Sequence, residues 1–240
     1  MTPSARAAAS IEIVQSVLDG VPPNRAMINW FRSNRYAGSK DRLAIRDIIF
    51  NCLRFKRSAL WPFTHLGFPA DGRSLILGTL VRTSQDPKDF FDGLKYSASR
   101  LSLSEKKVVN NFKSILSKAP PATKLDLPEF LLEPLKTSLG SKLEITMKHL
   151  NMRAKVFLRV NQIRANVDTV IDRLKKEDIY ARKLSTVPNC LIVEKGFKKV
   201  INSKCFRSGM VEFQDVSSQS VINFVNPFSG ARILDFCAGG

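Results

Sequence analysis

Two consecutive prolines, placed halfway along 240 residues, constrain this chain more than any other feature. Pro120 and Pro121 stand in Ala119-Pro120-Pro121-Ala122-Thr123. Each fixes φ and removes a backbone N–H donor, so the stretch is expected to be a linker that neither a helix nor a sheet traverses. Hydrophobic periodicity differs on its two sides, and the length also favours two domains over one.

Before the prolines the pattern is helical throughout. Ser4 to Leu18 carries Ala7, Ile11, Val14 and Leu18 at spacings of four and three, and stops at Gly20. Pro22-Pro23 opens a second helix through Ala26, Ile28, Trp30 and Phe31. Ser39-Lys40-Asp41 caps a third, which the periodicity extends from Arg42 to Ala59 or beyond. On it, Ala44, Ile45, Ile48, Cys52, Phe55 and Ala59 share a sector of about 100°. Arg42, Arg46 and Arg57 fall opposite, among Ile49, Phe50 and Leu53. A helix apolar on two sides is expected at the centre of a bundle. Further helices are predicted at Gly72–Thr83, Pro87–Leu94 and Ser104–Lys118, which makes residues 1–118 a mainly α domain of about six helices.

After the linker, 119–127, Pro128–Leu139 and Ser141–Asn151 read as a helix pair joined at Gly140. The pattern then becomes mixed α+β. Val156–Val160 is a strand, Val167–Lys176 a helix, and Ile179–Lys183 and Cys190–Val193 two more strands; Met210–Phe213 leads to a helix near Ser217–Phe224. Arg232–Asp235 reads as a last, short strand, buried, with Cys237-Ala238-Gly239-Gly240 after it.

Charge gives the first hint of function. Lys and Arg number 38 against 21 Asp and Glu, a net +17. The excess is spread over the chain, with 19 basic and 9 acidic residues in 1–120 and 19 and 12 in 121–240. Such a field concentrates polyanions, of which RNA is a principal one in the cytosol. At 44% hydrophobic and 25% charged, the composition is that of a folded globular chain. No apolar run approaches the length of a membrane span, so no membrane partner is expected and a cytoplasmic location is. Four cysteines without a C-x-x-C pair and two distant histidines, His65 and His149, give neither a disulfide framework nor a metal site.

A strand that delivers an acid at its tip and continues into small residues makes a ligand-binding turn, because glycine lets backbone N–H groups approach a bound molecule. Asp235-Phe236-Cys237-Ala238-Gly239-Gly240 has that form. Ahead of it come Leu158-Arg159-Val160-Asn161, then Glu212-Phe213-Gln214-Asp215 with Ser217-Ser218-Gln219; near the start stands Ala37-Gly38-Ser39-Lys40-Asp41-Arg42, followed by Ala44-Ile45-Arg46-Asp47. In this order the segments resemble the bacterial rRNA cytosine-5 methyltransferases of the Nop/Sun family, especially the Fmu (Sun) type. The resemblance implies a NusB-like helical RNA-binding domain over 1–118. It implies a helix pair and an RRM-like α+β domain over 128–226, and the start of a Rossmann-like methyltransferase domain over 227–240. It further implies S-adenosyl-L-methionine as cofactor, with Asp235, Cys237, Ala238, Gly239 and Gly240 matching the opening of its binding motif. Small-subunit rRNA would be the substrate, with Arg42, Arg46, Arg57, Arg159 and Asn161 as candidate RNA contacts.

The departures from the family pattern bear on chemistry. The family attacks cytosine C6 with a cysteine thiolate from a Pro-Cys motif and uses a second cysteine from a Thr-Cys motif. Here Asn precedes Cys190, Lys precedes Cys205 and Phe precedes Cys237, so no catalytic residue is assigned. The expectation is a front half of such an enzyme, truncated inside the first cofactor motif and inactive alone, with a separately encoded C-terminal half as a candidate partner. A non-catalytic RNA-binding module of the antitermination-factor kind is the alternative.

Overall fold

Thr2 begins the first helix: its hydroxyl accepts the N–H of Ala5 at 3.1 Å, and Pro3 occupies the first helical position, where no donor is needed. This computed structural model describes residues 1–236 and divides into two units, Met1–Met152 and the remainder from Arg153.

The first unit is all helical. Its elements are α1 (Pro3–Leu18), α2 (Pro23–Ser33), α3 (Ser39–Arg54), α4 (Lys56–Thr64), α5 (Gly72–Arg82), α6 (Leu103–Asn110), α7 (Phe112–Leu116), α8 (Pro121–Lys124), α9 (Glu129–Leu139) and α10 (Leu143–Leu150). At the centre lies α5, not α3. Leu75, Ile76, Leu77 and Leu80 are buried together with Gly72 and Gly78, so α5 is enclosed all round, whereas α3 buries a single stripe of Ile45, Ile49 and Cys52. Gly78 permits this: a Cβ there would lie 2.0 Å from the Ala59 carbonyl oxygen of α4.

The long helix expected from Arg42 to Ala59 is broken. Phe55 leaves helical geometry at φ −109°, ψ 21°, and α4 starts anew at Lys56. The orphan donors of the new helix start are met from far along the chain. Asp126 Oδ1 accepts the Ser58 N–H at 2.8 Å, and its Oδ2 accepts the Ser58 hydroxyl at 2.7 Å. Burial raises the Asp126 pKa, with the Ser58 donors and nearby Arg82 pulling against it. Sequence periodicity carries no trace of a cap supplied from 68 residues away.

Three other expectations change. Pro87–Leu94 holds only a 3-10 turn at Pro87–Asp89, with Phe91 and Ala98 buried in the irregular stretch around it. Ser104–Lys118 splits at Asn111 into α6 and α7. The Pro-Pro stretch contains a helix, α8, because Pro121 sits at its first position, where proline is preorganised. Ala122, Leu127, Leu132, Leu143 and Met147 form one small core joining α8 to the α9–α10 pair, which groups that pair with the first unit.

The second unit follows a β-α-β-β-α-β order with β1 (Val156–Val160), α11 (Val167–Lys176), β2 (Tyr180–Lys183), β3 (Cys190–Lys195), α12 (Lys204–Arg207) and β4 (Val211–Phe213); α13 (Val216–Val225) comes last. The sheet order is β2-β3-β1-β4, antiparallel between all neighbours, which is the ferredoxin-like arrangement. Period-two alternation sends Leu158 and Val160 into a core with Val170 and Leu174 of α11, and Arg159 to the opposite face. The buried strand expected at Arg232–Asp235 does not form. That stretch has no regular structure and pairs with no strand among the described residues; Ile233 is 65% and Leu234 82% exposed.

Candidate nucleic-acid interface

Alpha helices α2 and α3 border a cleft of about 410 Å³ lined by Asn24, Met27, Ile28 and Phe31 from the first and Arg42, Leu43 and Arg46 from the second. Arg42 and Arg46 are four residues apart, one helical turn, so both project toward the same side. The Arg42 guanidinium lies 5.3 Å from the centre of the Phe31 ring, and its Nε donates to the Ala37 carbonyl at 2.8 Å. These contacts fix the guanidinium plane. Neither arginine forms an ion pair among the described residues.

Around the cleft, Arg25, Arg32, Arg35 and Lys40 are exposed as well. The nearby acid Asp41 is occupied: it holds Arg6 at 2.8 Å and the N-terminal amine at 3.2 Å. Arg6 holds the Asp41 carboxyl below its ordinary range, so it stays ionised but committed. The local field is therefore cationic and carried by side chains with N–H donors to spare. Arg57, expected on the same face, stands beyond the break at Phe55 and does not line the cleft. Sequence reasoning missed Ile28 and Phe31 as parts of this surface; their i, i+3 spacing outside the buried pair Ala26 and Met27 is the signal that could have found them.

On the second unit, Arg159 lies across from Glu212 in the register of β1 and β4, and its Nη2 bonds Glu212 Oε2 at 2.6 Å. It remains 45% exposed in its side chain. Asn161 does local work: its Oδ1 accepts the Ile163 N–H at 3.2 Å and its own N–H donates to the Met210 carbonyl at 2.9 Å, shaping the turn into α11. Arg159 thus faces outward as a candidate contact, while Asn161 is engaged in the backbone around it.

Of the five residues proposed to hold S-adenosyl-L-methionine, only Asp235 is described; Cys237, Ala238, Gly239 and Gly240 lie outside the described residues. Asp235 is exposed in the irregular stretch, so the described residues do not fit an enclosed nucleoside site. Cys52, Cys190 and Cys205 are buried, and burial raises each thiol's pKa, that of Cys52 to about 12. Such thiols are poor nucleophiles at neutral pH. No cluster able to hold a metal ion and no helix long and apolar enough to cross a membrane occurs among the described residues.

Residues 127–199 match the family "Methyltr_RsmF/B-like, ferredoxin-like domain", which covers α9, α10 and most of the sheet unit. The chain is 31% identical over 111 residues to ribosomal RNA small subunit methyltransferase B of Citrobacter koseri, and 30% identical over 111 residues to that of Xylella fastidiosa. In both cases the match covers 46% of this chain and 26% of the relative, so the chain spans about a quarter of their length. The crystal structure of PH0851 shares the fold, with a TM-score of 0.52 at 18% identity, over 94% of this chain and 55% of that one. The resemblance to the Nop/Sun methyltransferases, carried in the sequence by Arg159-Val160-Asn161 and Gln214-Asp215, stands on these matches.

Proposed function

We propose that this chain, similar over nearly half its length to small-subunit rRNA methyltransferases B, is the RNA-binding front part of an S-adenosyl-L-methionine-dependent rRNA cytosine-C5 methyltransferase. The carrying observation is the pairing of the family match at 127–199 with the cationic cleft of α2 and α3 in the helical unit. Phosphate contacts need guanidinium groups in a cationic field; Arg42, held by Phe31 and the Ala37 carbonyl, and exposed Arg46 supply them, and Arg159 adds an outward cation on the sheet unit.

In this reading residues 1–118, the larger part of the helical unit, are NusB-like and hold RNA, and the sheet unit helps orient it. S-adenosyl-L-methionine would supply the methyl group; the described residues, exposed Asp235 among them, form no enclosed site for it, so no step through it is assigned to them. The chemistry is assigned to no residue of these 240, because no cysteine stands in a Pro-Cys or Thr-Cys pair and three of the four are buried. The test is incubation of the purified chain with labelled S-adenosyl-L-methionine and small-subunit rRNA lacking its base methylation. The rRNA is expected to be retained on a filter with the protein and to acquire no 5-methylcytosine. Methyl transfer by the chain alone would refute the assignment, and failure to retain rRNA would refute the binding role.

A further inference from the structure

The turn between α2 and α3, the loop at 92–98 and the start of α1 surround a cleft of about 590 Å³ in the first unit. Its lining is mainly apolar: Tyr36 from the turn, Leu94 and Tyr96 from the loop and Ala5 from α1, with Lys95 among them. Tyr36 is 69% and Tyr96 81% exposed. Among the described residues the one ring contact of Tyr36 is with Trp30, edge to face at 6.2 Å. That of Tyr96 is with the Lys95 ammonium, 5.1 Å from its ring centre. Single exposed apolar residues are ordinary, but here three large ones share one cleft and take no part in the core of the unit.

Hydrogen bonds hold both segments. The Ala37 N–H donates to the Asn34 carbonyl at 3.1 Å and the Ala37 carbonyl accepts from Arg42 Nε, which fixes the turn that carries Tyr36. In the loop, the Gly93 N–H donates to the Ala98 carbonyl at 3.0 Å and the Leu94 N–H to Asp92 Oδ1 at 3.0 Å. The Ala98 N–H ties the loop to α1 through the Ser4 carbonyl at 3.3 Å. Tyr96 has a left-handed backbone, φ 63°, which a bulky residue adopts only where its surroundings impose it. Strain of that kind gathers at ligand-binding positions. The loop thus holds an aromatic ring out into water at a conformational cost.

Charge around the cleft selects its occupant. Arg35 precedes Tyr36 and Lys40 follows it at the start of α3; both are exposed, and like Lys95 they form no ion pair among the described residues. The acids nearby are committed: Asp41 to Arg6 and the N-terminal amine, Asp92 to the Leu94 N–H, and Glu12 to the Trp30 indole N–H at 2.7 Å. Ring contacts run from Tyr36 through Trp30 to Phe31, whose ring carries Arg42, so the aromatic cleft continues the cationic cleft of α2 and α3. A single nucleic-acid strand supplies phosphates to the one and planar rings to the other. We propose that Tyr36 and Tyr96 are stacking platforms for unpaired bases of single-stranded RNA whose phosphates lie along Arg42 and Arg46. The site deepens the RNA-binding reading above and rests on it. Its volume falls within the roughly 300–1,000 Å³ of ordinary ligand clefts. Stacking needs only the π face that every base has, so the site tolerates purines and pyrimidines alike.

Fluorescence anisotropy with labelled eight-residue oligoribonucleotides tests this: oligo(U), oligo(A) and an abasic ribose-phosphate oligomer, against the full chain and its Tyr36→Ala and Tyr96→Gly variants. A third variant, Tyr36→Phe with Tyr96→Phe, keeps both rings. Glycine suits the backbone at φ 63°, so Tyr96→Gly removes the ring without endangering the fold. The wild type is expected to bind oligo(U) and oligo(A) about tenfold more tightly than the abasic oligomer. Tyr36→Ala and Tyr96→Gly should each weaken binding of the base-bearing oligomers by about five- to tenfold and leave abasic affinity and salt dependence unchanged. The double phenylalanine variant should bind as the wild type does, and a loss there would overturn stacking. Equal wild-type affinity for base-bearing and abasic oligomers, or a preference that survives both ring removals, would overturn the site, assign the cleft to a protein partner and leave the RNA-binding reading intact. Absence of binding to every oligomer would overturn both.

Discussion

Single side chains in the helical unit show how ionised groups were committed to structure, leaving others free for a ligand. Glu105 closes a capping box with Ser102 and takes Arg73 Nε at 2.6 Å. Burial pushes its pKa up, but the Arg73 and Ser102 donors outweigh that and leave it below the ordinary value of 4.5. A carboxyl lowered by folding contributes stability above its unfolded pKa and loses that contribution as pH falls through the folded one. Glu105→Gln keeps the capping geometry and removes the charge, so it should cost about 1–2 kcal/mol at pH 7. The deficit should shrink as pH falls below 4.5 and through the lowered folded-state pKa, and urea titrations from neutral to acid pH check it; a deficit unchanged with pH would show that the charge is irrelevant. The S-x-x-E spacing of this box is legible in the sequence. The Arg73 partner, 32 residues away, is not, because ion pairs across a fold leave no local pattern.

At the scale of elements, periodicity located most helices and all four strands of the sheet unit, and missed what depends on distant packing. In Val156–Val160 the strand was legible but not its facing; the structure turns Arg159 outward because successive strand residues point to opposite faces and Leu158 and Val160 are buried. The break at Phe55 was hidden because apolar residues continue through it, and the cap that sustains α4 comes from Asp126. The central place of α5 was hidden for a related reason. Its meaning lies in Gly78, whose missing side chain lets α4 and α5 approach, and a glycine in a helix reads as a weakness until the neighbour is known. Gly78→Ala should therefore destabilise the helical unit by about 1–3 kcal/mol despite alanine's better helix propensity, as measured by thermal unfolding. An unchanged or raised midpoint would mean that the two helices have room to separate.

Over the whole chain, the net charge of +17 was the strongest functional signal, and the fold turns part of it into a surface. The sequence placed Arg42, Arg46 and Arg57 on one side of one helix; folding keeps the first two beside Phe31 and sets Arg57 past the break. The sequence singled out Asp235 to Gly240 as the start of a cofactor turn; the one described residue of that set, Asp235, stands in an irregular exposed stretch that pairs with no strand among the described residues. RNA affinity is thus the property on which the account depends, and its salt dependence is the direct measure. If about five phosphates are neutralised, log affinity should fall against log salt with a slope of roughly −3.5 to −4.5. The double variant Arg42→Ala, Arg46→Ala should bind more weakly and show a slope shallower by about 1–2. Affinity for small-subunit rRNA that is absent at low salt, indifferent to salt, or unchanged in the double variant would contradict the account.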